Sequence, residues 1–157
     1  MQDQWSDVMR VFEALSYVVK GMSPNGTELF FTVSYDTFRR KDTSELCGYL
    51  RKKKLAGETN ISYRLNLQLQ SYRAKVASSW CGKPKKSKKV RPISFYILTN
   101  GNWSAGADPK VVIKDIADFF IWADLKNGQV AIQFISFAQN ATAVQRINDL
   151  GKIDFGL

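Results

Sequence analysis

Apolar residues recur at steps of three and four along Trp5, Val8, Phe12, Leu15 and Val19, which gathers them on one helical face. Gly21 and Pro24 stop that helix, and Asn25-Gly26 reads as a turn. Leu29 to Val33 is a short run rich in β-formers and predicts a buried strand. Asp42, Thr43 or Ser44 can cap a second helix running to about Lys53, with Leu46, Leu50 and Cys47 turned inward. The loop Gly57-Glu58-Thr59-Asn60 leads into a third helix that carries Ile61, Leu65, Leu69, Tyr72 and Val76 on one side. Ile93 to Leu98 is a second continuous apolar run, hence a second central strand. Asp108 followed by Pro109 is a helix start, and the next inner face is Val112, Ile113, Ile116, Phe119 and Phe120. Asn127-Gly128 turns the chain into a third buried strand, Val130 to Phe137. Ala141 to Leu150 is a last helix closed by Gly151, and the tail from Lys152 to Leu157 could begin a further strand.

The order is therefore α-β-α-α-β-α-β-α. Strands that alternate with helices run parallel, so the expected fold is α/β, a three-layer α/β/α sandwich around a mostly parallel central sheet. Residues 1–157 read as one domain. The stretch 82–91 interrupts the pattern with six basic residues, one Gly and one Pro. It reads as an exposed loop inserted in that domain, because neither flank alone could complete a sheet.

Composition narrows the chemistry. Hydrophobic residues are 45% and aromatics 13% of the 157, enough for a packed interior. The net charge of +9 could attract nucleic acid, anionic lipid or an acidic protein face, although a solvated basic surface gives the same count. Cys47 and Cys81 form no CxxC pair and read as free thiols in a reducing compartment. The chain has no histidine, which removes the usual general base and the Ser-His and Cys-His nucleophile pairs. No phosphate-cradling glycine loop or strand-end pair of acids stands in for it, so an enzyme is not expected. Met1 to Arg10 is polar and unlike a signal peptide, and the apolar stretch Val111 to Ala123 is broken by Lys114, Asp115 and Asp118. The expectation is an intracellular protein, cytoplasmic or nuclear. Four Asn-x-Ser/Thr sequons, at Asn25, Asn60, Asn102 and Asn140, have no chemical consequence without a secretory route.

Several short motifs in order resemble a von Willebrand factor type A domain of the kind common in fungal proteins. The strand Pro92 to Leu98 runs into Thr99-Asn100-Gly101-Asn102-Trp103, where the family usually has Thr-Asp-Gly and, in the fungal type, a following Trp. Gln129 to Phe137 resembles the next family strand, Gly57-Glu58-Thr59-Asn60 a Gly-x-Thr turn before a helix, and Trp5 the aromatic that opens the first family helix. The resemblance implies a Rossmann-like sandwich that binds protein partners through its loop face. It also implies a metal-ion-dependent adhesion site built from Asp-x-Ser-x-Ser, a Thr, and the Asp of Thr-Asp-Gly. Here Thr59 alone matches, as a vestigial position; Asn100 replaces the Asp, and Asp-x-Ser-x-Ser is absent. Mg²⁺ is held by hard oxygen ligands that normally include a carboxylate. One hydroxyl and one neutral amide bring no charge, so no cofactor is expected; Mg²⁺ belongs to family members with the complete site.

In many members a Met follows the missing motif, and Met1 here precedes the first helix at once. The resemblance thus implies a chain that starts after the first central strand. Two inner sheet edges, along Leu29 to Val33 and Ile93 to Leu98, would then face a gap of roughly 9.6 Å, two strand spacings. The sheet would close up, stay weak, or accept a strand from a partner.

The candidate binding residues are Thr59, Asn60, Asn100, Gly101, Asn102 and Trp103. Each has a plainer reading: Thr59 as a helix cap, Asn100-Gly101 as an ordinary turn, and Trp103 tucked beneath the sheet. The candidate basic patch is Lys83, Lys85, Lys86, Lys88, Lys89 and Arg91, to which the runs Arg39-Arg40-Lys41 and Arg51 to Lys54 could add. It could bind phosphates or anionic lipid, or be a solvated insertion; no aromatic interleaves it, so base stacking is not indicated. The leading expectation is a non-catalytic module for an unidentified protein partner. An electrostatic binder of nucleic acid or anionic membrane, and a truncated fragment without function of its own, are the alternatives.

Overall fold

The computed structural model describes residues 4–53, 60–80, 90–104, 106–124 and 129–152. It is a mixed α/β protein whose described residues hold five helices and two two-stranded sheets. The chain divides into two compact units, Met1–Thr59 and Asn60–Leu157.

In the first unit, α1 (Trp5–Lys20) buries Val8, Phe12 and Ser16. The Ser16 hydroxyl lies on the buried face and donates back to the Phe12 carbonyl, so it enters the interior without an unmet donor. Gly21 caps the helix as expected. The run predicted as a buried parallel strand at Leu29 to Val33 is different in the structure. β1 (Thr27–Phe30) pairs antiparallel with β2 (Thr37–Arg40), with Leu29 opposite Phe38. The strand is thus half of a hairpin, and its partner is a strand the apolar pattern does not show. α2 (Thr43–Lys52) follows, capped by Asp42, whose carboxylate accepts the Ser44 and Glu45 N–H groups. It buries Leu46, Cys47 and Leu50, as the sequence indicates. Phe38 of β2 stacks on Tyr49 of α2 with centroids 4.0 Å apart, which fastens the hairpin to the helix.

The second unit carries the larger core. In α3 (Ile61–Trp80) the five residues expected on one side, Ile61, Leu65, Leu69, Tyr72 and Val76, are all buried. β3 (Ile93–Thr99) and β4 (Val130–Ser136) are parallel, in register Ile93 to Val130 and Thr99 to Ser136. α4 (Lys110–Trp122) joins them, and α5 (Ala141–Leu150) follows. Asp108 accepts the Lys110 N–H at the start of α4, while Pro109, expected as the first helical residue, is the N-cap itself. Alternate strand residues Ile93, Phe95 and Ile97 face the same cluster as Val130, Ile132 and Phe134, together with Ile113, Ile116 and Phe119 of α4. The Ile93 N–H donates to the Gln129 carbonyl at 3.0 Å and the Phe137 N–H to the Thr99 carbonyl at 2.8 Å. Those bonds put the odd-numbered backbone groups of β3 on β4, so Ser94, Tyr96 and Leu98 direct theirs to the other edge. No strand lies beside that edge among the described residues. β1 pairs with β2, and no described residue forms a strand on its other edge.

Candidate functional site

The segment that leaves β3 and the segment that leaves β4 meet at the carboxyl end of the parallel pair, where open α/β sheets place ligands. A chain of side-chain bonds holds them. Thr99 Oγ1 accepts the Gly101 N–H at 3.1 Å, and Asn100 Oδ1 accepts the Asn102 N–H at 3.1 Å. Beyond β4, Ser136 Oγ accepts the Ala138 N–H at 3.1 Å. Asn140 Oδ1 accepts the Ala143 N–H at 2.8 Å and so caps α5. That cap fixes which end of the Asn140 amide is nitrogen. Its Nδ2 donates to Asn102 Oδ1 at 3.4 Å and ties the two segments together. Asn and Ser suit these places because short polar side chains satisfy backbone donors two or three residues on.

Gly101 sits at φ +74°, a conformation that disfavours any residue with a Cβ. A Cβ there would lie 2.8 Å from the Ala143 carbonyl oxygen, so the loop backbone lies directly on the first turn of α5. Asn100-Gly101 is therefore a turn, as the plainer reading has it, and also a close helix contact. Trp103 is only 8% exposed and belongs to the core cluster that also holds Ile61 and Leu150. Its ring is tucked in, and its carbonyl accepts from Arg146 Nη1 at 3.4 Å. What the sequence offered as an interface anchor instead supports the loop from beneath.

Asn60 caps α3, its Oδ1 accepting the Tyr63 N–H at 2.8 Å. The cap considered for Thr59 is thus supplied one residue later, and Thr59 itself lies outside the described residues. Lys83, Lys85, Lys86, Lys88 and Lys89 also lie outside them. Arg91 is exposed, and its carbonyl accepts the Tyr72 hydroxyl at 2.8 Å. Burial pushes that hydroxyl's pKa up, which keeps it a neutral donor. Arg91 precedes β3 and Asn100 follows it, so a strand of seven residues separates them, about 23 Å at 3.3 Å each. Arg91 and the loop that begins at Asn100 lie at opposite ends of β3.

In the first unit the basic runs face acids. Arg39 pairs with Glu28, Arg40 with Glu45 at 2.8 Å, Arg51 with Glu13 at 3.7 Å and Lys53 with Asp36. The hydrogen bond that Lys53 donates to the Asp36 carboxylate raises the Lys53 pKa. Cys47 is buried, and burial raises its thiol pKa, which makes it a poor nucleophile.

The amide loops do not suit a divalent cation. Residues 99–104 and 136–143 contain no Asp or Glu, and Asn100 Oδ1 already holds a backbone N–H. Among the described residues no group of three His, Cys, Asp or Glu could hold a metal. Nor is any helix among them long and apolar enough to cross a membrane. Sequence reasoning missed Asn140, Ser136 and Arg146. Asn140 was visible as a cap signal before Ala141, but nothing in the pattern placed it against Asn102. No family model, no curated protein and no solved structure matches this chain.

Proposed function

We propose that the chain is a non-catalytic protein-binding module of the von Willebrand factor type A kind, with an incomplete metal site. In this reading the parallel pair, α3, α4 and α5 are part of the family's three-layer sandwich. The partner meets the loops after β3 and β4. Carrying the proposal is the polarity of those loops. Thr99 Oγ1, Asn100 Oδ1, Ser136 Oγ, Asn102 Oδ1 and Asn140 Oδ1 each accept a hydrogen bond from within the loops. The Asn100 amide nitrogen and the second hydrogen of Asn140 Nδ2 can still donate to a partner, with the exposed Arg146 guanidinium beside them. A surface of amides, hydroxyls and one guanidinium, without acid, imidazole or thiolate, suits binding and supplies no ordinary proton-transfer group.

A photo-crosslinking residue placed at the exposed Asn102, compared with one at the exposed Lys114 of α4, tests this. A discrete protein adduct from position 102, lost on Arg146→Glu, is the expected result. Equal adducts from both positions, or none from 102, would overturn it.

A further inference from the structure

The outer stripe of α4 reads Val111, Asp115, Asp118 and Trp122, at steps of four, three and four, so these residues share one helical face. Val111 is 67% exposed and Trp122 78%. Asp115, Asp118 and Trp122 line an open cleft of about 270 Å³ together with Phe119 of the same helix and Arg73 of α3. Arg73 lays its guanidinium 4.3 Å from the centre of the Phe119 ring. The Trp122 ring stands next to Phe119, with centroids 6.2 Å apart. The cleft thus already holds one cation on one aromatic face, and offers a second aromatic face on which no cation lies among the described residues.

Most acids among the described residues are engaged by the chain itself; Asp115, Asp118 and Asp124 form no ion pair there. Asp7, Glu13, Glu28, Asp36, Asp42, Glu45 and Asp149 each pair with a Lys or Arg of the chain. Asp108 accepts the Lys110 N–H. Asp115 and Asp118 make no ion pair among the described residues, Arg73 included, although the chain carries a net charge of +9. Two carboxylates against one guanidinium leave the cleft net negative. A carboxylate beside an exposed indole suits a planar cation, which can stack on the ring and hydrogen-bond to the acid together.

We propose that this cleft is a docking site for an arginine side chain of a basic partner segment. The guanidinium lies on Trp122 as Arg73 lies on Phe119, and Asp115 and Asp118 hold its N–H groups. The surface is separate from the amide loops and does not depend on their function.

The probe is a nine-residue Gly/Ser peptide carrying three arginines, beside the same peptide with citrulline, which keeps the shape and loses the charge. The readout is the indole N–H signal of Trp122 in a ¹⁵N NMR titration of the full chain, identified by its loss in Trp122→Phe. The arginine peptide is expected to shift that signal, and citrulline to bind about tenfold more weakly. Asp115→Asn with Asp118→Asn leaves the indole in place and is expected to weaken the arginine peptide by about fivefold. These are exposed positions, and an unchanged far-UV spectrum checks that the variant is folded. Equal binding of the two peptides, unchanged binding by the double variant, or no shift with either peptide would each overturn the proposal.

Discussion

Gly101→Ala puts the most informative strain on the loop after β3. Two separate costs act at this position. The backbone is held at φ +74°, and a side chain in that region costs about 1–2 kcal/mol. The new Cβ would also meet Ala143, at 2.8 Å from its carbonyl oxygen, 2.9 Å from its Cβ and 3.1 Å from its carbonyl carbon. Those atoms cannot swing aside like the end of a long side chain, because Ala143 is fully buried and its N–H is held by Asn140. Overpacking of this sort costs about 1–3 kcal/mol, so the expected loss is about 2–5 kcal/mol. Gly106→Ala is the control. Gly106 has nearly the same backbone, φ +79°, but nothing within 4 Å of a built Cβ. It should lose only the backbone part, about 1–2 kcal/mol. Urea unfolding of both variants, followed by tryptophan fluorescence and far-UV circular dichroism, gives the two values if the m-values agree. Equal losses would mean that the loop does not press on α5, and the site as described would be wrong.

Trp103→Ala should cost about 3–5 kcal/mol in the same assay, since the ring is 8% exposed and packs in the core; a loss below about 1 kcal/mol would restore the exposed-anchor reading. Asn140→Ala removes the cap of α5 and should cost about 1 kcal/mol, with chemical-shift changes reaching Asn102 across the Asn140–Asn102 bond. Asp42 bears on pH. The Ser44 hydroxyl, then the Ser44 and Glu45 N–H groups, hold its carboxyl at about 2 against an ordinary 3.8. A lowered folded-state pKa stabilises above the unfolded value and is lost as pH falls through the folded one. The urea midpoint should therefore drop between pH 3.8 and about 2, and Asp42→Asn should flatten that drop.

Helices were legible because one face of each is buried against its own unit. The step pattern in α3 named all five of its buried apolar positions, and Ala141 and Leu150 bound α5 where Asn and Gly mark its ends. The parallel pair was legible for the same reason, as each strand is a continuous apolar run. The hairpin was not. β2 reads Thr-Phe-Arg-Arg and is exposed except at Phe38, so only one of its four residues carries an apolar signal. That residue is held by stacking on Tyr49 and covered by the Arg40 guanidinium at 4.4 Å, contacts that have no period in the sequence. With β2 invisible in the apolar pattern, β1 has no antiparallel partner in the sequence and reads as a strand of the main sheet. Register and the meeting of Asn102 with Asn140 depend on where separate elements pack, which a local pattern does not encode. The sequons are informative in retrospect. The side-chain oxygens of Asn60 and Asn140 cap helices and that of Asn102 is bonded to Asn140, which gives each amide a structural role without any glycan.

Charge placement decides between a basic surface and a basic segment. Residues 1–59 hold nine Lys or Arg and eight Asp or Glu, so their net charge is only +1. Their Arg and Lys runs are largely paired, as Arg39, Arg40, Arg51 and Lys53 show. Residues 60–157 carry the remaining +8, and Lys83, Lys85, Lys86, Lys88, Lys89 and Arg91 supply six of it. Any polyanion affinity should therefore follow that one segment. With a 20-base-pair duplex as probe, each phosphate neutralised contributes about −0.9 to the slope of log K against log salt, so six contacts give about −5. Replacing the five lysines by serine should bring the slope to about −1, whereas Arg39→Gln with Arg40→Gln should leave it near −5. Those two arginines are engaged by Glu28 and Glu45, and removing them also exposes two acids, which limits what they can add. A slope that survives the loss of the lysines, or falls as far with the arginine pair, would show that the ion pairs of the first unit open to meet the anion and that net charge was the wrong guide to the surface.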